Sequence, residues 1–213
     1  KKDPKIQELT YAGVVVDSKG KPIIGAEVST WNGLRGGQSQ TQKRTRTSRE
    51  GRFQFKMKST ELAHDSHLVV TAKGYGPDWE KMSQFGYQKS KLTLVKDDVP
   101  IEGRVLDLEG KPIAGVTVEV HRISKMPRGQ DLGPWIKRKV EIRRRGRYLN
   151  EGGLLSLWSE ALGKRPITKT DRNGRFRLSG FGRDRVVRFF IQSNEIQHVR
   201  GWAVTRNGPE KGY

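Results

Sequence analysis

The sequence predicts an all-β chain made of two β-sandwich domains in tandem, and three observations predict it. The stretch 11–28 returns ninety positions later as 101–118: Gly13, Asp17, Gly20-Lys21-Pro22 and Gly25 match Gly103, Asp107, Gly110-Lys111-Pro112 and Gly115. A second matched pair follows, Thr47-Ser-Arg-Glu-Gly51-Arg-Phe53 against Thr170-Asp-Arg-Asn-Gly174-Arg-Phe176, with 33 more residues between the halves of the later copy. Finally, short runs rich in Val, Ile and Phe alternate with polar residues between Gly- and Pro-bearing turns, the pattern of half-buried strands. A repeat of this length is one structural unit used twice, so the domains are expected at 1–98 and 99–213, the second carrying an insertion at about 123–168.

Taken in order, 1–8 is a polar lead-in and 9–17 a Val-rich strand interrupted by Gly13, where a bulge or close packing is expected. Ser18-Lys-Gly-Lys-Pro22 is a turn, with Gly for positive φ and Pro to pre-set φ, and Gly25 gives a second bend before a strand at 26–31. The Gly-, Gln- and Thr-rich 32–46 reads as a long loop with a ragged strand near its end. Glu50-Gly51 turns into 52–57, where Phe53, Phe55 and Met57 share a face. Strands at 68–72 and 91–95 complete the first copy, and the short 96–100, ending in Pro100, links the two domains with limited swing. The second copy repeats this with strands at 101–107, 116–122, 175–178 and 186–192, and 202–206 can close it. Within the insertion, the cation-dense 135–147 reads as an extended ribbon. Leu154, Leu155, Leu157, Trp158, Ala161 and Leu162 recur at helical spacing ahead of Gly163 and Pro166, which predicts a short amphipathic helix.

Asp17 and Asp107 close strands just before turns, so each is expected to bond its own turn's backbone rather than do chemistry. His64-Asp65-Ser66-His67 is the one cluster of titratable groups; its spacing matches no metal-ligand pattern, and it is read as a solvated loop. His121 and His198 stand alone on strand-like surroundings. Asp171 and Asn173 lack the carboxylate density that calcium requires. There is no nucleophile elbow, phosphate loop or dinucleotide fingerprint, and with no cysteine there is no disulfide or thiolate site. No run is long and apolar enough to span a bilayer. No cofactor, no metal and no enzymatic activity are expected.

The matched segments resemble the carboxypeptidase regulatory-like module, a prealbumin-like (transthyretin-like) fold. The residues that carry the likeness are Gly13-Val-Val-Val-Asp17, Gly20-Lys-Pro-Ile-Ile-Gly25, Gly51-Arg-Phe53 and Val70-Thr-Ala-Lys-Gly-Tyr75, then Gly103-Arg-Val-Leu-Asp107 and Thr170-Asp-Arg-Asn-Gly-Arg-Phe176. The second copy, with Leu157-Trp-Ser-Glu-Ala-Leu162 and Gly180-Phe-Gly-Arg-Asp-Arg-Val186, is also similar to a form found in large multi-module proteins of planctomycete-type bacteria. The resemblance implies seven-stranded Ig-like Greek-key sandwiches used as accessory, structural or binding units, with no catalytic residues.

Charge supplies the rest of the functional reading. The 213 residues carry 42 Lys+Arg against 23 Asp+Glu, a net +19, which points to anionic partners or surroundings. The excess is concentrated: 122–175 holds 15 Lys/Arg and 5 Asp/Glu. Lys137, Arg138, Lys139, Arg143, Arg144, Arg145 and Arg147, with Trp135, Tyr148 and Trp158 nearby, form a candidate polyanion-binding set. Equally, such cations keep an extended edge soluble and unpaired. The expected function is a non-catalytic structural, adhesive or protein-binding module, self-assembling or part of a larger bacterial envelope or extracellular protein. Nucleic acid or another polyanion is the first alternative. Carbohydrate binding through Trp31, Trp79, Trp135 and Trp158 is the second.

Overall fold

A computed structural model of the chain describes residues 6–35, 38–85, 87–144, 152–163, 165–193 and 199–206. The fold is all-β, and its contacts divide the chain into two compact units. Unit 1 is Lys1–Pro100 together with Ser159–Pro166 and Ser179–Arg183; unit 2 is Ile101–Trp158, Ile167–Leu178 and Asp184–Tyr213.

Among the described residues seven strands build unit 1: β1 (Glu8–Asp17), β2 (Glu27–Arg35), β3 (Gln38–Arg46), β4 (Arg52–Lys58), β5 (Ser66–Thr71), β6 (Asp78–Lys81) and β7 (Tyr87–Leu94). They form a sheet ordered β4-β1-β7 and a second ordered β3-β2-β5-β6. Strand β1 is central in its sheet, antiparallel to β4 and parallel to β7. The alternation that predicts strands also sets their faces: Phe53, Phe55 and Met57 of β4 are buried while Arg52, Gln54, Lys56 and Lys58 are exposed. Leu9, Tyr11 and Val15 from β1 and Leu92 and Leu94 from β7 join them against Val28, Leu68 and Val70 of the other sheet in one core. Burial of the Tyr11 phenol, which donates to the Ser83 carbonyl at 2.6 Å, raises its pKa to about 12. The stretch read as a loop at 32–46 is instead the hairpin β2–β3, its register broken twice by irregularities; polar Gln, Thr and Lys side chains gave it no apolar face to read.

The segment 179–183 belongs to unit 1 because Asp97 holds it there. The Asp97 carboxylate accepts the backbone N–H groups of Gly180, Phe181 and Gly182 at 2.7 to 3.1 Å. Arg183 makes a two-armed ion pair with Asp98, which holds that carboxyl below its usual range. A Cβ on Gly76 would strike the Phe181 carbonyl, so only glycine permits this approach.

In unit 2 the strands are β8 (Ile101–Arg104), β9 (Thr117–Lys125), β10 (Leu155–Trp158), β11 (Ile167–Lys169), β12 (Arg175–Leu178), β13 (Val186–Gln192) and β14 (Val199–Val204). One sheet runs β10-β9-β13-β14 with β11 also on β9; the other holds β12 and β8. Phe176 of β12 and Phe189 of β13 bring the two sheets into contact with ring centroids 6.0 Å apart. Strand β8 ends three residues earlier than expected: Val105 bonds Gly174 and Ile113 as Val15 bonds Gly51 and Ile23, but β1 is carried on to Asp17 by pairing with β7, and among the described residues β8 pairs with β12 alone.

The insertion departs from its expected form in two places. The residues read as a basic ribbon form a helix, α1 (Leu132–Arg144), and those read as a helix form β10 followed by a 3-10 turn at Ser159–Leu162. Strand pairing decides the second case: Leu157 lies fully buried opposite Ile123 of β9, while Leu155 is exposed, the alternation of a strand edge. Gly163, at positive φ, ends the turn as its sequence signal implies.

Candidate functional site

What the repeat preserves within the chain is a pair of corners held by the same bonds. In unit 1, Asp17 accepts the N–H groups of Lys19 and Lys21 at 2.8 and 2.9 Å; in unit 2, Asp107 accepts those of Glu109 and Lys111 at 3.0 and 2.7 Å. The Thr47 hydroxyl accepts the Ala26 N–H at 2.9 Å and donates to the Ile23 carbonyl at 2.6 Å. Thr170 does the same with Val116 and Ile113 at 2.9 and 2.8 Å. Gly51 and Gly174 sit at φ 69° and 71°, where an added Cβ would meet the carbonyl oxygens of Val15 at 2.5 Å and Val105 at 2.4 Å. Each shared polar side chain is therefore committed to its own unit's backbone. Asp171 bonds the N–H groups of Asn173 and Arg175, and the Arg175 bond leads in holding its carboxyl below the usual range.

Among the described residues no group of three or more His, Asp or Glu could hold a metal ion. His64 is exposed and lies 3.4 Å from its neighbour Asp65, and His67 stands in β5 with its ring 5.7 Å from that of Trp31. His121 packs edge-on to Trp158 at 4.7 Å. His198 lies outside the described residues.

The basic set lies on α1. Asp131 precedes the helix and accepts the Gly133 N–H at 3.0 Å, the bond of an N-cap, and Pro134 falls in the first turn, where its missing N–H costs nothing. Leu132, Trp135, Ile136 and Lys139 recur at i, i+3, i+4 and i+7 and face the protein. Leu132 and Trp135 pack with Val186, Trp202 and Val204; the Trp135 and Trp202 rings stack at 6.2 Å, and the Trp135 indole donates to the Gly152 carbonyl. Arg206 completes the seat, bonding Asp184 at 2.5 Å and Asp131 at 2.6 Å, and this pairing holds the Asp131 carboxyl below its usual range.

The predicted cations separate on this framework. Lys137, Arg138 and Arg144 are exposed, sharing the outer face with Glu141. Lys139 is buried, its ammonium 5.2 Å from the Trp135 ring centroid, so its stem is packing and its charge is no part of the open face. Arg143 lies within α1; Arg145 and Arg147 lie outside the described residues. Of the four tryptophans considered for carbohydrate binding, Trp31, Trp79 and Trp135 are 3%, 2% and 9% exposed, and Arg122 covers the Trp158 ring at 4.3 Å. No pair of open rings exists among them for a sugar to stack on.

Sequence reasoning missed a further surface, the second edge of β8. In unit 1 the corresponding edge of β1 is filled by β7, while among the described residues β8 pairs only with β12.

No protein-family model matches the chain. No curated protein matches it either. Among solved structures it is similar to a streptococcal ancillary pilin, at 11% identity and TM-score 0.33, over 96% of this chain and 62% of that one. It is similar at the same identity and TM-score to the shaft pilin SpaA of Lactobacillus rhamnosus GG, over 96% and 95% of the two chains. A chlorocatechol 1,2-dioxygenase of Pseudomonas putida matches 44% of this chain and 62% of its own at 11% identity and TM-score 0.32. The chain thus spans less than two thirds of the ancillary pilin.

Proposed function

We propose that the chain is a non-catalytic tandem β-sandwich of structural or adhesive role, working through contacts with other protein, copies of itself included, at the bacterial envelope or outside the cell. The observation that supports this reading is the use made of the repeated polar residues. Asp17, Asp107, Thr47 and Thr170 are all bonded to turn backbone, so what the chain duplicated is a way of holding a sandwich. Sedimentation velocity over a wide concentration range tests it: larger species that grow with concentration support self-assembly. A single species at every concentration, with no partner retained from envelope extracts, overturns the reading.

The exposed Lys137, Arg138 and Arg144 of α1 favour a second reading, a polyanion contact. Each phosphate neutralised releases counterions, so log affinity should fall with log salt at a slope near −0.7 to −0.9 per contact. Replacing all three by Ala should weaken binding to single-stranded DNA or heparin and flatten that slope. A salt-independent affinity, or one untouched by the triple variant, removes this reading.

A further inference from the structure

Unit 1 carries a charged face of its own, on the outer side of the sheet β4-β1-β7. Strand β1 turns Leu9, Tyr11 and Val15 into the core, so Thr10, Ala12 and Val14 fall on the other side, where they are half-buried. The two flanking strands set long side chains beside these short ones, row by row. Ala12 lies between Gln54 and Lys89, and Val14 between Arg52 and Lys91. In the next row Thr10 lies between Lys56 and Tyr87. All six flanking residues are exposed.

The result is a trough with a short, uncharged floor and cationic walls two strand spacings apart, about 9–10 Å. Lys56 is committed to Glu8 at 2.6 Å. Among the described residues no ion pair holds Arg52, Lys89 or Lys91. Unit 2 lacks this floor: by the repeat, Glu102 and Arg104 stand where unit 1 has Ala12 and Val14, and Glu102 is paired with Arg177.

Spacing and aromatic character identify the occupant. Tyr87, Lys89 and Lys91 follow one another along a wall at steps of about 6.6–7 Å. A nucleotide has six backbone bonds per phosphate, twice the three of an amino acid, so an extended single strand repeats its charge at about 7 Å. Tyr87 is 61% exposed and Phe85, two residues before it, 85%; such rings offer a face to any base. An acidic peptide could match the charges, but a sheet face has no free backbone groups, so the peptide's own would go unpaired over Ala12 and Val14. We propose that this trough binds single-stranded nucleic acid, with phosphates on Arg52, Lys89 and Lys91, sugars over Ala12 and Val14, and a base stacked on Tyr87. The site adds to the structural reading above and does not depend on it.

The test is fluorescence anisotropy of a labelled oligothymidylate titrated with the 213-residue chain across a salt series. Lys89→Ala with Lys91→Ala should weaken binding at least about tenfold and reduce the salt slope by about 1.4, two contacts' worth. Tyr87→Ala should cost about fivefold to a hundredfold and leave the slope unchanged. Ala12→Gln keeps every charge but fills the floor, and should also weaken binding. Each variant should keep the urea midpoint of unit 1; the two lysines are exposed, so their replacement carries the test if Ala12→Gln does not fold.

Binding untouched by the double lysine variant overturns the proposal, as does binding lost only when Lys137, Arg138 and Arg144 become Ala, which gives the polyanion to α1. A well-folded Ala12→Gln that binds as before overturns it too, reducing the effect to diffuse attraction by a +19 chain. Heparin that competes as well as the oligonucleotide, with Tyr87→Ala silent, gives the trough to a sulfated polysaccharide and overturns the nucleic acid. A chain that self-associates but ignores the oligonucleotide sinks this inference alone. One that stays monomeric yet binds as described keeps it and removes self-assembly.

Discussion

Replacing Thr47 by Val tests whether one buried hydroxyl holds the first corner. Val matches the shape of Thr, so the change removes the hydroxyl and little else. It leaves the Ala26 N–H and the Ile23 carbonyl without partners, and both residues are buried in unit 1. An unsatisfied buried backbone group costs about 1–3 kcal/mol, so Thr47→Val should destabilise unit 1 by roughly 2–4 kcal/mol, a large share of a typical domain's 5–15 kcal/mol. Thr170→Val should cost less, about 1–2 kcal/mol, because Ile113 is only half-buried and water can reach its carbonyl. Thr47→Ser keeps both bonds and loses a methyl group, a cost near 0.8 kcal/mol. Urea unfolding monitored by tryptophan fluorescence reads each unit, through Trp31 and Trp79 in one and Trp135 and Trp202 in the other. A cost for Thr47→Val below about 1 kcal/mol, or a Thr47→Ser cost as large as it, would refute the reasoning.

Gly174→Ala places a Cβ against the Val105 carbonyl at a φ that L residues avoid. The left-handed conformation alone costs about 1–2 kcal/mol, so unit 2 should melt earlier while unit 1 keeps its transition; calorimetry separates the two. Acid should release α1. Asp131 carries a depressed carboxyl pKa, so its stabilising contact is fully present above the ordinary value near 3.9 and is lost as pH falls through the lower folded value. The fluorescence of the Trp135–Trp202 pair should report a step in that window, and Asp131→Asn should abolish it.

The corners were legible because their residues do local work. A glycine at positive φ, a proline after it and an aspartate two residues before the N–H it accepts leave the same trace wherever they occur. Strands β12 and β13 fell where period-two alternation put them, for the same reason. Helix α1 was hidden because Lys139 stands in its buried stripe; a lysine that packs through its stem breaks the apolar pattern without breaking the helix. β10 was mistaken for a helix because Leu154, Leu155, Leu157 and Trp158 fit both periods, and only pairing with β9 chooses between them. The tryptophans read as open because indoles occur on both sides of a surface, and sequence carries no depth. The edge of β8 is a property of two copies compared, visible only once β7 of one has no counterpart among the described strands of the other.

The position of β7 beside β1 has a mechanical meaning. These are the first and last strands of their unit and run in the same direction, so tension applied through the chain pulls Glu8 one way and Leu94 the other. Every rung between Thr10–Tyr87 and Asp17–Leu94 is then loaded in shear at once, whereas a hairpin such as β2–β3 peels one rung at a time. Stretched singly between probe and surface, unit 1 should yield abruptly at the higher force and unit 2, lacking that parallel ladder among its described strands, should give way first; the reverse order would show that the ladder bears no load.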